Sequence, residues 1–416
     1  MRTSDDEMRI GVFFDGYLPL HETKDPGQLV LGFLDLGIQS EMITLYKQEL
    51  NTYTSPFPII FATRSQILTT DYWRTVPDDV IVAYTWLSRR YLPMVSAMKK
   101  AGKFVIVKAD GDGRYAFPTD PRRLSFRYLL QNFHLLSFGE IFRRSYHVLR
   151  TKLMRHRRIR RVAEHIKLAD KVIIESPQAQ INLSYSLLYW GFNLSSKIHV
   201  VPNPVASDII STTVPLKKEK QVMALGRWDA IEQKNTIRMV KVLCQFANLK
   251  PDYEIVIIGS GKEIVQKLIN KTASSRIPDQ LHLTGYIPRD EVIRHLARSR
   301  IFFMPSNWEG FSIAAAEAVC MGCTIVGTPI ECLTFLTLGG FTGTIATDFT
   351  EPPPLLNALL IDAHKWEVGY YDPQSISHFW RNNLCRKAIA EKIVKLIDTS
   401  HNEDVSSADK TFATKG

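Results

Sequence analysis

Two successive series of short apolar runs, each closed by a turn residue and followed by a helical pattern, set the fold of this 416-residue chain. In the first half, residues 9–14, 41–45, 80–85, 104–108 and 172–175 read as buried strands. Helical spacing lies between them, at 28–37 and 91–100. The second half repeats the scheme, with strands at 221–225, 254–258, 281–284, 301–304 and 324–326. Strands alternating with helices argue for parallel sheets, because a parallel connection needs a crossover. Pro202-Asn203-Pro204 and the charged run at 217–220 separate the two series. The expectation is an α/β protein of two Rossmann-like domains, 1–205 and 206–365. Pro352 to Pro354 reads as a further break, and residues 379–397 as one long amphipathic helix. The polar tail 399–416, without period, is expected to be disordered.

Hydrophobic residues make up 45% of the chain and charged residues 23%. A packed core is easily supplied, so a disordered chain and a small disulfide scaffold are excluded. The net charge of +10 implies an anionic partner: nucleic acid, a phosphorylated ligand or an anionic membrane surface. Five cysteines in a chain this long point to a reduced, cytoplasmic setting. Cys320 and Cys323 form a CxxC inside an apolar passage and read as packing. The acids ahead of the first short apolar run do not look like a secretory leader. Without one, the N-x-S/T triplets at Asn182, Asn193 and Asn270 are expected to be chance matches.

The most informative stretch runs from Pro305 to Ala318. A strand ends near Met304, a loop carries Glu309-Gly310, and an alanine-rich helix starts near Ser312, whose hydroxyl suits an N-cap. Backbone N–H groups of Phe311, Ser312 and Ile313 at that helix start favour a phosphate. Glu309 before the helix and Glu317 about one turn inside it could each grip the vicinal hydroxyls of a sugar. A capping acid and a surface acid would give the same pair. Gly226-Arg227-Trp228 follows another strand, with Lys234-Asn235 close behind. A guanidinium fork and an ammonium at a strand end suit a diphosphate, although such residues in loops are commonly solvated charges. Ile258-Gly259-Ser260-Gly261 is a weak signal by itself.

Taken in order, these segments resemble the family-4 retaining glycosyltransferases of the GT-B fold (glycosyl transferases group 1). The matching residues are VVPNPV at 200–205, GRWDAIEQKN at 226–235, IIGSG at 257–261, LTGYIPRDEV at 283–292 and FFMPSNWEGFSIAAAEAVCMGCTIVGTP at 302–329. WEVGYYDP at 366–373 resembles the family's crossover, after which the final helix, to about residue 398, returns to the first domain. The resemblance implies two domains facing across a cleft and a nucleotide-diphosphate-sugar donor. Arg227 and Lys234 would hold the diphosphate, Glu317 the ribose and Glu309 the transferred sugar. Gly226, Gly310 and the Phe311–Ser312–Ile313 backbone would line the phosphates, with Tyr286 and Ile287 beside the base. It implies retention and no metal or other cofactor.

The first half departs from the family pattern. Where a glycine pair is usual after the first strand, the chain has Asp15-Gly16 and then Asp25-Pro26-Gly27. Gly16 is the donor-side candidate there. Where many members carry a histidine, it has Lys108-Ala109-Asp110-Gly111-Asp112, making Asp110 the sugar-side candidate. Asp110-x-Asp112 could alternatively bind a divalent metal or form a structural turn. Between Arg122 and Arg161 stand twelve Arg and Lys residues against the single acid Glu140, with six Phe and Tyr interleaved. Arg143, Arg144, Arg150, Lys152, Arg155, Arg157, Arg158, Arg160 and Arg161 form its densest part. A basic amphipathic stretch fits an anionic bilayer, so the expected acceptor is lipid-linked or membrane-held glycan at the cytoplasmic leaflet. A solvated helical face or an RNA surface would share the composition. A sugar hydrolase or epimerase, and a non-catalytic subunit on the same frame, remain the alternative functions.

Overall fold

The computed structural model describes residues 8–45, 53–115, 154–272, 279–348 and 352–412, with the single positions 139, 142 and 146; side chains are described to residue 399. Seven strands form the first sheet: β1 Arg9–Phe13, β2 Gln39–Leu45, β3 Ile59–Ala62, β4 Val80–Tyr84, β5 Phe104–Lys108, β6 Lys171–Ile174 and β7 Ile198–Val200. Their order is β3-β2-β1-β4-β5-β6-β7, parallel throughout. Six strands form the second: β8 Glu219–Leu225, β9 Glu254–Ile258, β10 Leu281–Gly285, β11 Ser299–Met304, β12 Thr324–Gly327 and β13 Gly343–Ile345. Their order is β10-β9-β8-β11-β12-β13, again parallel.

Both sheets reverse direction of strand addition at their first strand, between β1 and β4 and between β8 and β11. Such switch points open a crevice at the carboxyl ends of the strands, where α/β ligands bind. Helices cover both faces, so the central strands read as continuous apolar runs. Val80, Ile81, Val82, Ala83 and Tyr84 are all buried, as are Ile255 to Ile258. Three edge strands, β3, β7 and β13, escaped the sequence reading. They are four, three and three residues long, and so short a run carries little periodic signal.

Several boundaries differ from expectation. Asp25-Pro26-Gly27 is no loop but the first turn of the helix Asp25–Asp35, where proline's fixed φ is welcome. Gly27 allows the preceding loop to fold back, since a Cβ there would lie 2.6 Å from Glu22 Cα. Pro352 to Pro354 likewise open the helix Pro352–Glu367. The single helix expected over 379–397 is two, Pro373–Leu384 and Arg386–Phe412, joined at an extended Cys385. The last one runs through residues read as a disordered tail. Once packed turns have nucleated a helix, each further residue adds a hydrogen bond.

Cys385 is also where the chain changes domain. Trp380 and Leu384 belong to the second core, whereas Ile389, Ala390, Ile393 and Ile397 pack in the first. A Cβ on Gly32 would sit 2.5 Å from the Arg386 carbonyl, so the returning helix touches the Asp25–Asp35 helix backbone to backbone. Arg386 closes the contact through a bidentate pair with Asp35, at 2.6 and 3.0 Å.

Candidate functional site

The loop after β8 is set by tight packing against the loop after β9. The Trp228 indole N–H donates to the Ile258 carbonyl at 2.9 Å and the ring is buried. Gly259, at φ +125°, touches Gly226: a Cβ there would fall 1.8 Å from the Gly226 oxygen. The glycines at 259 and 226 thus serve loop-on-loop contact. Arg227 projects from this loop and is exposed.

Lys234 ends the one-turn helix Ile231–Lys234, which Asn235 terminates in the left-handed region at φ +52°. Asn235 donates its amide to the Pro305 carbonyl at 3.0 Å. Asn307 returns the contact, donating its backbone N–H to the Gln233 carbonyl (2.8 Å) and its side-chain amide to the Glu232 carbonyl (2.6 Å). These bonds stitch the loop after β11 to the Lys234 turn. As a result Lys234 Nζ lies 2.6 Å from Glu309 Oε1, both side chains nearly buried. The residues assigned to the diphosphate and to the sugar neutralise each other.

Beyond Glu309, Phe311 is buried and the helix Ile313–Cys320 begins. Ser312 occupies its N-cap position, but not as expected. It adopts φ +61°, and its hydroxyl turns to Met304 Sδ at 3.0 Å instead of capping the helix. The helix head therefore carries no side-chain cap, which suits it to an anion. Glu317, one turn inside, is buried and accepts from Arg289 at 2.9 Å. Arg289 also grips Asp208 with Nε at 2.5 Å and a second nitrogen at 2.8 Å. Burial pushes the Glu317 carboxyl up against the pull of Arg289. Burial acts on Asp208 too, but the Arg289 fork outweighs it and holds that carboxyl below the usual range. Arg289 escaped the sequence reading although it stands two residues after Ile287. Tyr286 is exposed and Ile287 half-buried against the second core.

The first domain meets this cluster at Asp110. That residue follows β5 at φ +42°, a strained conformation for a residue with a Cβ. Its Oδ2 accepts from the Trp86 indole at 3.2 Å. A Cβ on Gly310 would lie 2.5 Å from Asp110 Oδ1, so the sugar-side candidate abuts the backbone next to Glu309. Gly16 sits in the loop after β1. A Cβ there would make an ordinary 3.5 Å contact with Phe14. Its neighbour Asp15 accepts from Arg90 and Tyr91 at 2.7 and 2.6 Å.

Beneath Asp110 lies a buried charge cluster with no sequence signature. Lys108 Nζ donates to Asn203 at 2.6 Å and to Glu175 at 3.3 Å, with Asp25 3.7 Å away. Glu175 also accepts the Gly111 N–H at 3.0 Å. Burial works against the ammonium, but Asp25, Glu175 and Asp110 outweigh it and hold Lys108 charged. Burial pushes Asp25 up to about 6 despite Lys108. The string read as a possible metal motif splits: Asp112 Oδ1 accepts the Arg114 N–H at 3.1 Å while Asp110 faces Trp86.

The seam between the domains is closed by a second polar knot. Arg114 Nε and the Asn182 amide both donate to Glu331 Oε1, at 2.8 and 2.9 Å. Asn182, read as a chance glycosylation triplet, spends its amide there and on the Asp112 carbonyl. Of the basic stretch, Arg143, Arg144, Arg150 and Lys152 lie outside the described residues. Arg155 to Arg161 sit on the helix Arg155–Leu168, with Arg157, Arg158 and Arg160 exposed, Arg155 and Arg161 half-buried. Cys320 and Cys323 are buried free thiols.

Residues 208–349, which span this second-domain cluster, match the family model of glycosyl transferases group 1. An uncharacterised glycosyltransferase of Bacillus subtilis (strain 168) is 24% identical over 206 residues, 48% of this chain and 55% of that protein. The Escherichia coli UDP-Gal:alpha-D-GlcNAc-diphosphoundecaprenol alpha-1,3-galactosyltransferase is 27% identical over 218 residues, 49% of this chain and 52% of that protein. The chain thus spans about half the length of these curated relatives. The crystal structure of Anabaena Alr3699/HepE in complex with UDP and glucose superimposes with a TM-score of 0.63 at 13% identity, covering 94% of this chain and all of that one. The two domains form a GT-B fold, and the second of them is similar, over residues 208–349, to the glycosyl transferases group 1.

Proposed function

We propose that the protein is a retaining, metal-independent glycosyltransferase that moves a sugar from a nucleotide-diphosphate-sugar to a lipid-linked or membrane-held glycan at the cytoplasmic membrane face. The observation that carries the reading is the Lys234–Glu309 pair at the uncapped head of the Ile313–Cys320 helix. It lies at the carboxyl end of β11, beside the switch point, with Asp110 of the other domain against Gly310. As the glycosidic bond breaks, negative charge builds on the diphosphate. Arg227, Lys234 and the helix N-terminus stabilise that charge more than they stabilise the ground state. Glu309, partner of Lys234, is then released toward the sugar hydroxyls. Glu317, oriented by Arg289, is placed one turn deeper for the ribose.

The relative that uses a diphosphoundecaprenol acceptor and the solved neighbour that holds UDP support the substrate classes. The test is nucleoside diphosphate release from a panel of nucleotide sugars, with and without membrane extract, in EDTA and in Mg²⁺. Release that needs the extract, survives EDTA and collapses in Glu309→Gln and Arg227→Ala supports the proposal. Loss in EDTA overturns metal independence, and silence across the panel favours a non-catalytic subunit.

A further inference from the structure

We propose that the outer face of the helix Pro177–Tyr189, with the adjoining basic helix Arg155–Leu168, docks on an anionic lipid bilayer. The inference rests on the membrane-held acceptor reading for its purpose, and on the surface itself for its physics. The thirteen residues of the Pro177–Tyr189 helix, PQAQINLSYSLLY, include no charged side chain. One side, with Ala179, Leu183 and Leu187, is buried in the first core. The other presents Ile181, Tyr185, Leu188 and Tyr189 at 64, 48, 61 and 56% exposure. Their spacing puts them in one stripe. Solvent-facing helix surfaces are ordinarily charged or polar, and a contiguous apolar patch marks an interaction site.

The stripe joins the basic helix through aromatic contacts. Tyr189 packs on Trp190 with ring centroids 5.4 Å apart, and Trp190 on His156 at 5.6 Å. The basic helix carries six Arg and Lys residues against one acid, Glu164. Arg157, Arg158 and Arg160 are exposed on that helix, Arg158 over the Tyr115 ring and Arg160 paired with Glu164 at 3.3 Å. Apolar and tyrosine side chains suit the headgroup–acyl boundary, and arginines the lipid phosphates above it. A second copy seated on the stripe would bring its own basic helix into the contact, like charge on like. Among the described residues no helix is long and apolar enough to cross a membrane, so this face would lie on the bilayer. The helix borders the domain seam at Asn182, which bonds Glu331, so a glycan held at the lipid surface borders the cleft.

The test is co-sedimentation of the full chain with phosphatidylcholine vesicles, with and without phosphatidylglycerol, in the absence of any sugar donor. The expected result is binding to the anionic vesicles only. Ile181→Ser/Leu188→Ser should weaken it about tenfold or more at low and at high salt. Arg157→Ser/Arg158→Ser/Arg160→Ser should weaken it at low salt chiefly. Unchanged circular dichroism melts would show that both variants fold. No vesicle binding, or variants that bind as the parent does, would overturn the proposal. So would variants that only convert a dimer to monomers in sedimentation velocity. Because no donor is present, a protein without transferase activity can still dock. Turnover on a soluble acceptor without docking would sink this inference alone.

Discussion

Lys234 Nζ and Glu309 Oε1 stand 2.6 Å apart although 75 positions separate the residues in the chain. Both side chains are nearly buried, so each charge depends on the other for compensation. Breaking such a pair from one side leaves an uncompensated charge. Lys234→Met and Glu309→Gln should each cut donor turnover about a hundredfold or more. The double variant should lose little beyond the worse single one, because the two act as a unit. Nucleoside diphosphate release across the four-protein cycle reads this directly, and additive losses would show that the pair is incidental.

Gly310 is required by its neighbour across the cleft. A methyl group there would fall 2.5 Å from Asp110 Oδ1. Gly310→Ala should lower kcat/KM by about tenfold or more, since a small misplacement of catalytic groups is costly. The melting temperature should barely move, because the loop's own hydrogen bonds survive. Adding Asp110→Gly should relieve the clash without restoring full turnover. Wild-type kinetics in Gly310→Ala would mean that the two domains part here during turnover.

The seam knot of Arg114, Asn182 and Glu331 should hold the domains in register. Glu331 is buried, so Glu331→Ala removes the acceptor that Arg114 and Asn182 share and should cost about 2 kcal/mol at the interface. Small-angle scattering should show a larger radius of gyration, with circular dichroism unchanged. An unaltered scattering profile would place the hold elsewhere, at the Arg386–Asp35 contact.

His165 offers a pH test of the basic helix. It is fully buried and neither ring nitrogen has a partner among the described residues. Burial lowers its pKa to about 4, from an ordinary 6.5. Between those values the unfolded chain binds the proton and the native one does not. Stability therefore rises with pH through this window and is lost as pH falls from 6.5 toward 4, by about 3 kcal/mol. His165→Leu should remove that slope. Urea midpoints at pH 7, 5.5 and 4.5 for both proteins would read it, and parallel curves would count against a neutral buried imidazole.

How much of this was legible beforehand varied with the element. Val80–Tyr84 and Glu254–Ile258 announced themselves as continuous apolar runs, because strands covered on both faces need them. The Pro305 to Ala318 stretch announced a strand, loop and helix because its turn residues and its alanines punctuate it locally. Ser312 departs from the local rule: a serine before a helix is a good cap in the extended conformation, but here it is left-handed and bonds Met304. Cys385 was invisible as a break, because the apolar period continues through it while the chain passes from one core to the other.

The amino-acid sequence by itself determined the two α/β halves and the strand, loop and helix of the Pro305 to Ala318 stretch. Those are local properties, written in periodicity and turn chemistry. The tertiary structure alone decided that Lys234 is neutralised by Glu309, that Arg289 ties Glu317 to Asp208, and that Asp110 meets Gly310. Lys234 and Glu309 meet because β8 and β11 flank the switch point of the second sheet, and Asp110 and Gly310 because the domains dock. Neither strand order nor domain docking has a period along the chain.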